Sequence, residues 1–397
     1  MPAPTSHDVA TWRVVGDPLV APIGTGPLSG TTMAVKDLYA VAGHKIGAGN
    51  AAYLDEAEPA TTHAEVVGLL LAAGAAVRGI SRTDEFAYSM SGTNVHYGSP
   101  RNPWSPDRVV GGSSNGSASA TARGLVDIGL GTDTAGSIRV PSSYCGLFGI
   151  RTTHGLVPLD GVLPLAPSFD TVGWMTRDPD LLDLVGRCLI DEGTADSPAP
   201  IGSLVIADDL CELAEPSTAS VVAGAAAQFA GSAGIPLARI RLLEGIDGDL
   251  REAFRIVQSA EAWSANGEWI TAHPGVVGPG IRDRFAFGAG LSAAQTADAR
   301  GVLTAARSVI RDRIPVRVAI VMPAASGPAP LISLAGAEKT AMRTATLALT
   351  TVAAAAGLPV VVAPAGTLDG LPVGIALMGA PHADLALTSF LSTRGLR

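Results

Sequence analysis

Residues 110–147 read VGGSSNGSASATARGLVDIGLGTDTAGSIRVPSSYCGL, and this stretch is the most informative part of the chain. It is dense in Gly, Ser, Thr and Ala, and its serines Ser113 and Ser137 lie 24 residues apart. That spacing predicts a turn, a helix over residues 117–124 and a strand between the two serines. A phosphate-binding P-loop or a dinucleotide-binding turn would need G-x-x-x-x-G-K-[ST] or G-x-G-x-x-G, and neither pattern occurs here.

The small residues that precede Ser137, GTDTAGS over residues 131–137, indicate a site for acyl-transfer chemistry. Such backbone can turn several N–H groups toward one point, as an oxyanion hole requires. A serine nucleophile also needs a base, and no histidine lies near it in the sequence. A lysine can serve if burial and hydrogen bonding lower its pKa toward neutrality. Lys36 is the candidate, because it ends an apolar strand in a chain whose 27 basic residues include few lysines.

A second interpretation places the nucleophile at Ser114. Residues 112–116, GSSNG, fit the G-x-S-x-G nucleophile elbow of α/β-hydrolases. That class needs an acid and then a histidine further along the chain, and Asp170 and His382 stand in that order. Nothing around Asp170 or His382 supports these roles, so we favour Ser114 as a residue that forms hydrogen bonds within the site.

The segments on either side predict an α/β protein. Residues 30–80 alternate strand, helix and strand, the rhythm of a βαβ unit. Residues 195–335 are Ala-rich and amphipathic, so we expect a helical, cap-like insertion there. Residues 339–391 return to helix, strand, turn, strand and helix. We therefore predict a single domain over residues 1–397, with a sheet built from both ends of the chain.

Composition excludes several classes of protein. The chain has 397 residues, of which 47% are hydrophobic and 16% charged, which suits a large core and not a disordered chain. A net charge of −9 argues against a general nucleic-acid binder. Three cysteines without a C-x-x-C pair indicate a reducing compartment, and the first ten residues show no secretory pattern. We therefore expect a cytoplasmic protein.

One apolar stretch requires a membrane check. The segment from Arg343 to Asp369 has no charge between its ends, but Thr, Gly and Pro residues interrupt it. A membrane-spanning helix needs about 20 mostly apolar residues, and these interruptions argue against one here. We therefore expect an Ala-rich buried helix, a turn at residues 357–359 and a core strand over residues 360–363. The seven histidines are scattered without zinc-binding spacing, so no metal or other cofactor is expected.

The lysine and the two serines stand in longer segments that resemble the amidase signature family. Lys36 lies in AVKDLYAVAG, Ser113 in GGSSNGSA and Ser137 in GTDTAGSIRVPSSYCGLFGIRTTHG. The segments SRTDEFAYS, SPRNPWSPDRVVGG and SFDTVGWMTRD extend the match over residues 30–178, the catalytic signature core. Within the family, TNVHYGSPRNP and VPSSYCGLFGIR most resemble the indole-3-acetamide hydrolase branch.

The resemblance implies the amidase signature fold, in which helices cover both faces of a central mixed β-sheet. It also implies a Ser–cis-Ser–Lys triad, with Ser137 as nucleophile, Ser113 as bridging serine and Lys36 as base. The peptide bond that precedes Ser113 is expected to be cis. The oxyanion hole is expected to use the N–H groups of Thr134, Ala135, Gly136 and Ser137.

Two positions depart from the family pattern, which usually has glycine where this chain has Asn115 and Ala135. Asn tolerates a positive φ, so a left-handed turn at Asn115 is acceptable. Ala135 keeps the N–H group, but its methyl group would strain the hole if the position required a positive φ. Asp133 is expected to hold the loop through backbone N–H groups. For Arg139 two roles stay open, binding a substrate carboxylate and anchoring the loop.

The resemblance implies an amidohydrolase that cleaves a small carboxamide, for example an aryl-acetamide such as indole-3-acetamide, to a carboxylate and ammonia or an amine. Two alternatives stay open, a non-catalytic amidase-like docking protein and the amidase subunit of an amidotransferase complex. Docking relatives tend to lose the triad, which is complete here, so the enzyme is favoured. A small-molecule amide is the expected partner, with neither nucleic acid nor membrane, and a homodimer is an assembly that the sequence leaves open.

Overall fold

The computed structural model describes residues 8–191 and 199–393, and its backbone there forms an eleven-stranded sheet flanked by helices. The strands are β1 (Trp12–Val20), β2 (Thr32–Lys36), β3 (Ala76–Ser81), β4 (Ile128–Thr132), β5 (Phe148–Arg151), β6 (Val172–Thr176), β7 (Ser203–Ala207), β8 (Leu237–Ile240), β9 (Val318–Pro323), β10 (Val360–Leu368) and β11 (Leu371–Met378). The α-helices are α1 (Ala51–Glu56), α2 (Glu65–Ala72), α3 (Asn115–Ala122), α4 (Arg139–Cys145), α5 (Pro179–Leu189), α6 (Asp208–Cys211), α7 (Pro216–Ala233), α8 (Leu250–Ala272), α9 (Pro279–Ala289), α10 (Ala293–Asp312), α11 (Gly336–Ala356) and α12 (Asp384–Ser392).

The sheet is mixed, with the strand order β1-β3-β2-β4-β6-β5-β10-β11-β9-β7-β8. Strand β2 is parallel to both of its neighbours, β3 and β4, and β7 is parallel to β8 and β9. The other neighbouring strands pair antiparallel. This architecture confirms the expected fold class.

Helices cover both faces of the sheet, as β10 illustrates. Successive side chains of a strand point to opposite faces. Val361 belongs to a core cluster with Phe229 of α7. Its neighbour Val362 belongs to a second cluster with Val352 of α11. The two faces of β10 are therefore both buried, each under a different helix.

A third apolar cluster joins helices α8, α9 and α10 to loops that follow the sheet strands. Phe254 of α8 and Phe285 of α9 are fully buried there, and Phe254 packs against Phe169 with their ring centroids 4.4 Å apart. Ala135 belongs to the same cluster. The helices of the middle region are thus packed directly against the Gly- and Ser-rich stretch.

Most of the elements expected from the sequence are present. The βαβ rhythm corresponds to β2, α2 and β3, and β2 and β3 pair in parallel. The helix expected between the two serines is α3. The Ala-rich segment forms α11, ends at Gly357 in a left-handed conformation (φ 65°), and is followed by β10. In the described residues no helix is both long and apolar enough to cross a bilayer.

The middle region departs from the expectation of a helical insertion. Besides helices α6 to α10, residues 199–335 contribute β7, β8 and β9, which continue the sheet beyond β11. The sheet is therefore not built only from the two ends of the chain. These strands are short, and β8 is exposed along most of its length, so it shows no alternation that would reveal it. Residues 195–198, where the insertion was expected to begin, lie outside the described residues.

Candidate active site

Lys36 occupies the end of β2, in the interior of the protein. Strands β2 and β4 are parallel neighbours, so their carboxyl ends meet at the same edge of the sheet. The Lys36 side chain is fully buried, and its Nζ donates hydrogen bonds of 2.8 Å to both Ser113 Oγ and Thr132 Oγ1. The two partners are neutral hydroxyl groups, so the structure brings the expected base and the expected bridging serine into direct contact.

The surroundings of Lys36 favour its neutral form. Burial lowers the pKa of Lys36 from its ordinary value to about 7, although the carboxylates of Asp84, Asp133 and Asp170 act in the opposite direction. A neutral amine can accept a proton, whereas an ordinary lysine is fully protonated at this pH. Lys36 therefore has the electrostatic setting of a base.

Ser113 is fixed through its backbone. The Gly112–Ser113 peptide bond is cis, and the carbonyl of Ser113 accepts hydrogen bonds from Thr83 Oγ1 (2.9 Å) and the Asp84 amide (3.1 Å). A Cβ built at Gly112 would lie 2.5 Å from Asp84 Oδ2, so only glycine fits this position without movement. Residues 83–84, in the SRTDEFAYS segment, thus hold the bridging serine in place.

Asn115 serves this arrangement in a way the sequence did not indicate. It is the first residue of α3 and its φ is not positive, so the expected left-handed turn does not occur there. Its Nδ2 donates to Asp84 Oδ1 at 3.0 Å. Its Oδ1 accepts from the Gly116 amide at 2.7 Å. Glycine could provide neither bond, so the departure from the family pattern adds a link between α3 and Asp84.

Ser137 follows a tight turn beside the Ser113 segment. Its carbonyl accepts from the Ser114 amide at 3.4 Å, and its side chain reaches the edge of a cavity, with 3% of the residue exposed. The positive φ of this turn (125°) falls at Gly136, and that of Ala135 is not positive. The methyl group of Ala135 therefore causes no backbone strain of the kind considered above.

The peptide between Ala135 and Gly136 is engaged at both ends. Thr350 of α11 donates to the Ala135 carbonyl at 2.6 Å, and the Gly136 amide donates to Asp133 Oδ1 at 2.8 Å. Gly136, expected in the oxyanion hole, thus already has an acceptor. The amides of the other three expected residues, Thr134, Ala135 and Ser137, have no acceptor among residues 8–191 and 199–393.

Asp133 organises the loop that ends at Ser137. Its carboxylate accepts hydrogen bonds from the amides of Gly136 and Ile138 and pairs with Arg139 and Arg151. Burial alone would raise the pKa of Asp133, but these two guanidinium groups hold it well below its usual range. Arg139 is only 1% exposed and also donates to the Thr350 carbonyl at 2.7 Å. Of its two open roles, the structure therefore places Arg139 in the loop anchor and outside the cavity.

The elbow residues do not assemble. Ser114 is fully buried at the start of α3, with its Oγ 3.3 Å from the Thr132 carbonyl. Asp170 accepts instead from Thr134 Oγ1 at 2.6 Å and from two backbone amides. The backbone amide of His382 bonds to Thr153 Oγ1 in a different part of the fold. In the ranges that the structure describes, no cluster of three His, Cys, Asp or Glu residues is placed to bind a metal ion.

A cavity of ≈ 420 Å³ opens in front of Ser137. Thr134, Ala135 and Ser137 line it, so the residues with free amides and the candidate nucleophile border the same space. Helices α8, α9 and α11 supply much of the remaining wall, including Phe287 and Leu347. A small ligand can therefore reach Ser137 between the sheet edge and the helices of the middle region.

Sequence reasoning missed several residues of this site. Thr132, the second partner of Lys36, lies within the Gly- and Ser-rich stretch. Its position at the end of the strand beside β2 was the only feature of the sequence that indicated a place near Lys36. Asp84 stood within SRTDEFAYS without an assigned role. The cavity residues of α8 and α9 had no motif, because they are brought to the site by packing of a region with weak sequence signals.

Comparison with known proteins identifies the family of this chain. The family model described as Amidase matches residues 22–228, which include Lys36, Ser113 and Ser137. The chain belongs to the amidase signature family. Amidase 1 of Arabidopsis thaliana is 34% identical to this amidase over 395 residues, covering 92% of each chain. A crystal structure of an amidase superposes with a TM-score of 0.81 at 28% identity, covering 93% of this chain and 85% of the other.

The amidase also resembles proteins with a different role over part of its length. Translocon at the outer membrane of chloroplasts 64 of Pisum sativum is 42% identical over 183 residues, which is 46% of this chain and 31% of that protein. The similarity to Amidase 1 extends over almost the whole chain, including the cavity helices. Family and relatives together show that the protein is an amide-hydrolysing enzyme.

Proposed function

We propose that this amidase hydrolyses a small carboxamide through an acyl-enzyme on Ser137, with a proton relay through Ser113 to Lys36. One observation carries the proposal: the fully buried Lys36 Nζ lies 2.8 Å from Ser113 Oγ, and its pKa is lowered to about 7. The backbone contact between Ser114 and Ser137 keeps the two serine segments adjacent.

In the first half-reaction, Ser137 Oγ attacks the amide carbonyl carbon while its proton passes to Ser113 Oγ, whose own proton passes to Lys36 Nζ. The free amides of Thr134, Ala135 and Ser137 would stabilise the negative charge that develops on the carbonyl oxygen. The C–N bond then breaks. The relay returns the proton to the leaving nitrogen, so ammonia or an amine departs and an ester to Ser137 remains.

In the second half-reaction, water attacks the ester carbonyl and gives its proton to the same relay. The bond between the acyl carbon and Ser137 Oγ breaks, and the relay returns the proton to Ser137. The second product is the carboxylic acid, which releases its proton to the solvent and becomes the carboxylate, and the enzyme regains its starting protonation state. No step requires a metal ion, because the charge that develops can be stabilised by backbone N–H groups.

The substrate class that we propose includes aryl-acetamides such as indole-3-acetamide. Two features support it: the sequence resembles the indole-3-acetamide hydrolase branch, and the cavity offers apolar wall from Leu165, Phe287 and Leu347. An aromatic ring gains free energy by leaving water for such a wall.

The test measures ammonia release from indole-3-acetamide, phenylacetamide and hexanamide by the wild type and by Ser137→Ala and Ser114→Ala. We expect Ser137→Ala to reduce kcat by at least about a thousandfold, because the acyl-enzyme cannot form. Mass spectrometry of the quenched wild type should find the acyl group on the peptide that contains Ser137. Loss of activity in Ser114→Ala alone would favour the elbow interpretation, and no ammonia from any amide would refute the proposal.

A further inference from the structure

The cavity in front of Ser137 contains an excess of positive charge. Three guanidinium groups line it, those of Arg255, Arg284 and Arg343, against the one carboxylate of Asp283. They come from three different helices, α8, α9 and α11, so the fold and not a local run of sequence brings them together. Nothing in the hydrolysis of an amide bond requires cations at this place.

Arg255 already has its own partners. Its guanidinium donates to both carboxylate oxygens of Glu252, at 2.8 and 2.7 Å, and lies 3.6 Å from the centroid of the Phe287 ring. A bidentate pair with a carboxylate satisfies most of the hydrogen-bonding capacity of the planar guanidinium. Arg255 therefore contributes packing to the cavity wall, and its charge is compensated.

Arg284 and Arg343 have no such bidentate partner, although the more distant charge of Asp84 acts on Arg284. Arg284 donates to the Tyr88 carbonyl, and in the part of the chain that the structure describes it forms no salt bridge. Arg343 is exposed, lines the cavity, and has neither a salt bridge nor a hydrogen bond among residues 8–191 and 199–393. Partial burial, together with the charge of Arg343, lowers the pKa of Arg284 to about 10. The two cations thus lie within electrostatic range of each other.

Two neighbouring guanidinium groups without a salt-bridge partner destabilise each other, and an anion bound between them relieves this repulsion. Carboxylate is the anion whose planar geometry matches the guanidinium group, with two parallel hydrogen bonds. Asp283 also lines the cavity and is exposed, but among residues 8–191 and 199–393 it forms no salt bridge with either cation.

We propose that the substrate carries a carboxylate in addition to its amide, and that Arg343, with Arg284, binds this carboxylate while the amide lies at Ser137. The inference rests on the proposed function, since it assigns the substrate class of the same site. It makes Arg343 a specificity-determining residue: a neutral amide of equal length would lack the charged contacts. An aryl-acetamide with a carboxylate on its ring satisfies both the apolar wall and the cations.

The experiment first measures binding, so that its result does not depend on turnover. Ser137→Ala is titrated calorimetrically with succinamate, glutaramate and adipamate, and with the neutral amides butanamide, pentanamide and hexanamide of matching length. We expect at least one carboxylate-bearing amide to bind about 10- to 100-fold more tightly than its neutral match, which is the range expected for hydrogen bonds between charged groups. Equal affinities in every matched pair would overturn the inference.

Variants of the arginine then test the assignment to this residue. In the Ser137→Ala background, Arg343→Gln should abolish most of the preference for the carboxylate. Arg343→Glu should reverse it, in favour of an ω-amino amide such as aminohexanamide. The matched control is Arg282→Gln, an exposed arginine of α9 that does not line the cavity. A preference that survives Arg343→Glu, or one that Arg282→Gln removes equally, would contradict the assignment.

Turnover separates this inference from the proposed function. If the wild type binds adipamate with the expected preference but releases no ammonia from it or from any other amide, the proposed function fails and the anion site stands. If neutral amides are hydrolysed as efficiently as their carboxylate-bearing matches, the proposed function stands and the anion site fails. Circular dichroism of each variant checks that the fold is retained.

Discussion

Lys36 leads to a quantitative prediction for the dependence of activity on pH. With its ordinary pKa of 10.5, about one lysine in 3,000 would be neutral at pH 7, whereas a pKa of about 7 leaves about half of the molecules neutral. Burial therefore raises the fraction of usable base by about a thousandfold. In the proposed relay the neutral form is the active one, so kcat/KM should rise tenfold per pH unit below pH 7 and level off above it.

The assay measures kcat/KM for one amide from pH 5 to pH 9, at constant ionic strength. At pH 5 we expect a value about 100-fold below the plateau. Lys36→Arg should lose activity at every pH, since a guanidinium group is not deprotonated in this range. Lys45→Arg is the matched control, because Lys45 is half-buried and its ammonium donates to the Asp55 carbonyl at 2.9 Å, away from the cavity lining. A flat profile between pH 5 and pH 8, or an active Lys36→Arg enzyme, would refute this account of the base.

Two further predictions concern stability. Lys36→Met should abolish activity yet raise the free energy of unfolding at pH 7 by about 1–3 kcal/mol. The substitution removes the cost of burying the lysine, which the pKa shift puts at up to about 5 kcal/mol. It also loses two hydrogen bonds that stabilise the protein by about 1 kcal/mol each. Urea titrations at pH 7 and pH 9.5 check the sign of this effect. Between about pH 7 and pH 10.5 the Lys36 amine is protonated in the unfolded chain and neutral in the folded protein, so the wild type becomes more stable as the pH rises. Lys36→Met should lack this increase in stability. Gly136→Ala should destabilise by about 1–3 kcal/mol and lower kcat, because φ is 125° and the new Cβ would lie 3.0 Å from Thr350 Cγ2. Gly301→Ala, in an open position on α10, should instead stabilise by up to about 1 kcal/mol, and equal Tm changes in the two variants would contradict the strain argument.

The sequence was sufficient for the parts of the site that depend on local backbone. The contact between Lys36 and Ser113 spans 77 residues, yet both ends lie in segments whose resemblance to one family is nearly continuous. The role of Asp133 also follows from its position, because an aspartate a few residues before a turn can accept from the amides of that turn. Each of these residues lies in a short segment that can be recognised by itself, even where the contact joins two distant segments.

The residues that define the cavity could not be predicted in this way. Arg284 and Arg343 lie 59 residues apart on different helices, and neither belongs to a recognisable motif. Their proximity depends on how α9 and α11 pack around the third apolar cluster, which in turn depends on side-chain shape across several elements. The same limitation explains the missed strands β7, β8 and β9, because their identity as strands comes from neighbours in the sheet.

Burial keeps Lys36 neutral only because the acids around it are occupied elsewhere. The Asp133 carboxylate is paired with Arg139 and Arg151, and Asp170 accepts from a hydroxyl group and two amides. A carboxylate that paired directly with Lys36 would stabilise the ammonium form and raise the pKa of Lys36. In the proposed relay, the arginines of the loop anchor would therefore act indirectly, because they satisfy a carboxylate that would otherwise favour the protonated form of Lys36.

The third acid whose charge acts on Lys36 is Asp84. In the described residues its carboxylate forms no salt bridge, although the charge of Arg284 acts on it, and it accepts from the Gly92 amide and Asn115 Nδ2. Burial raises the pKa of Asp84 to about 6, so near neutral pH a fraction of the molecules has a protonated, uncharged Asp84. Lys36 and Asp84 therefore titrate close together, and their protonation states are coupled. Asn115, where the family usually has glycine, donates a hydrogen bond to Asp84 Oδ1, and a hydrogen bond of this kind favours the charged form of a carboxyl group.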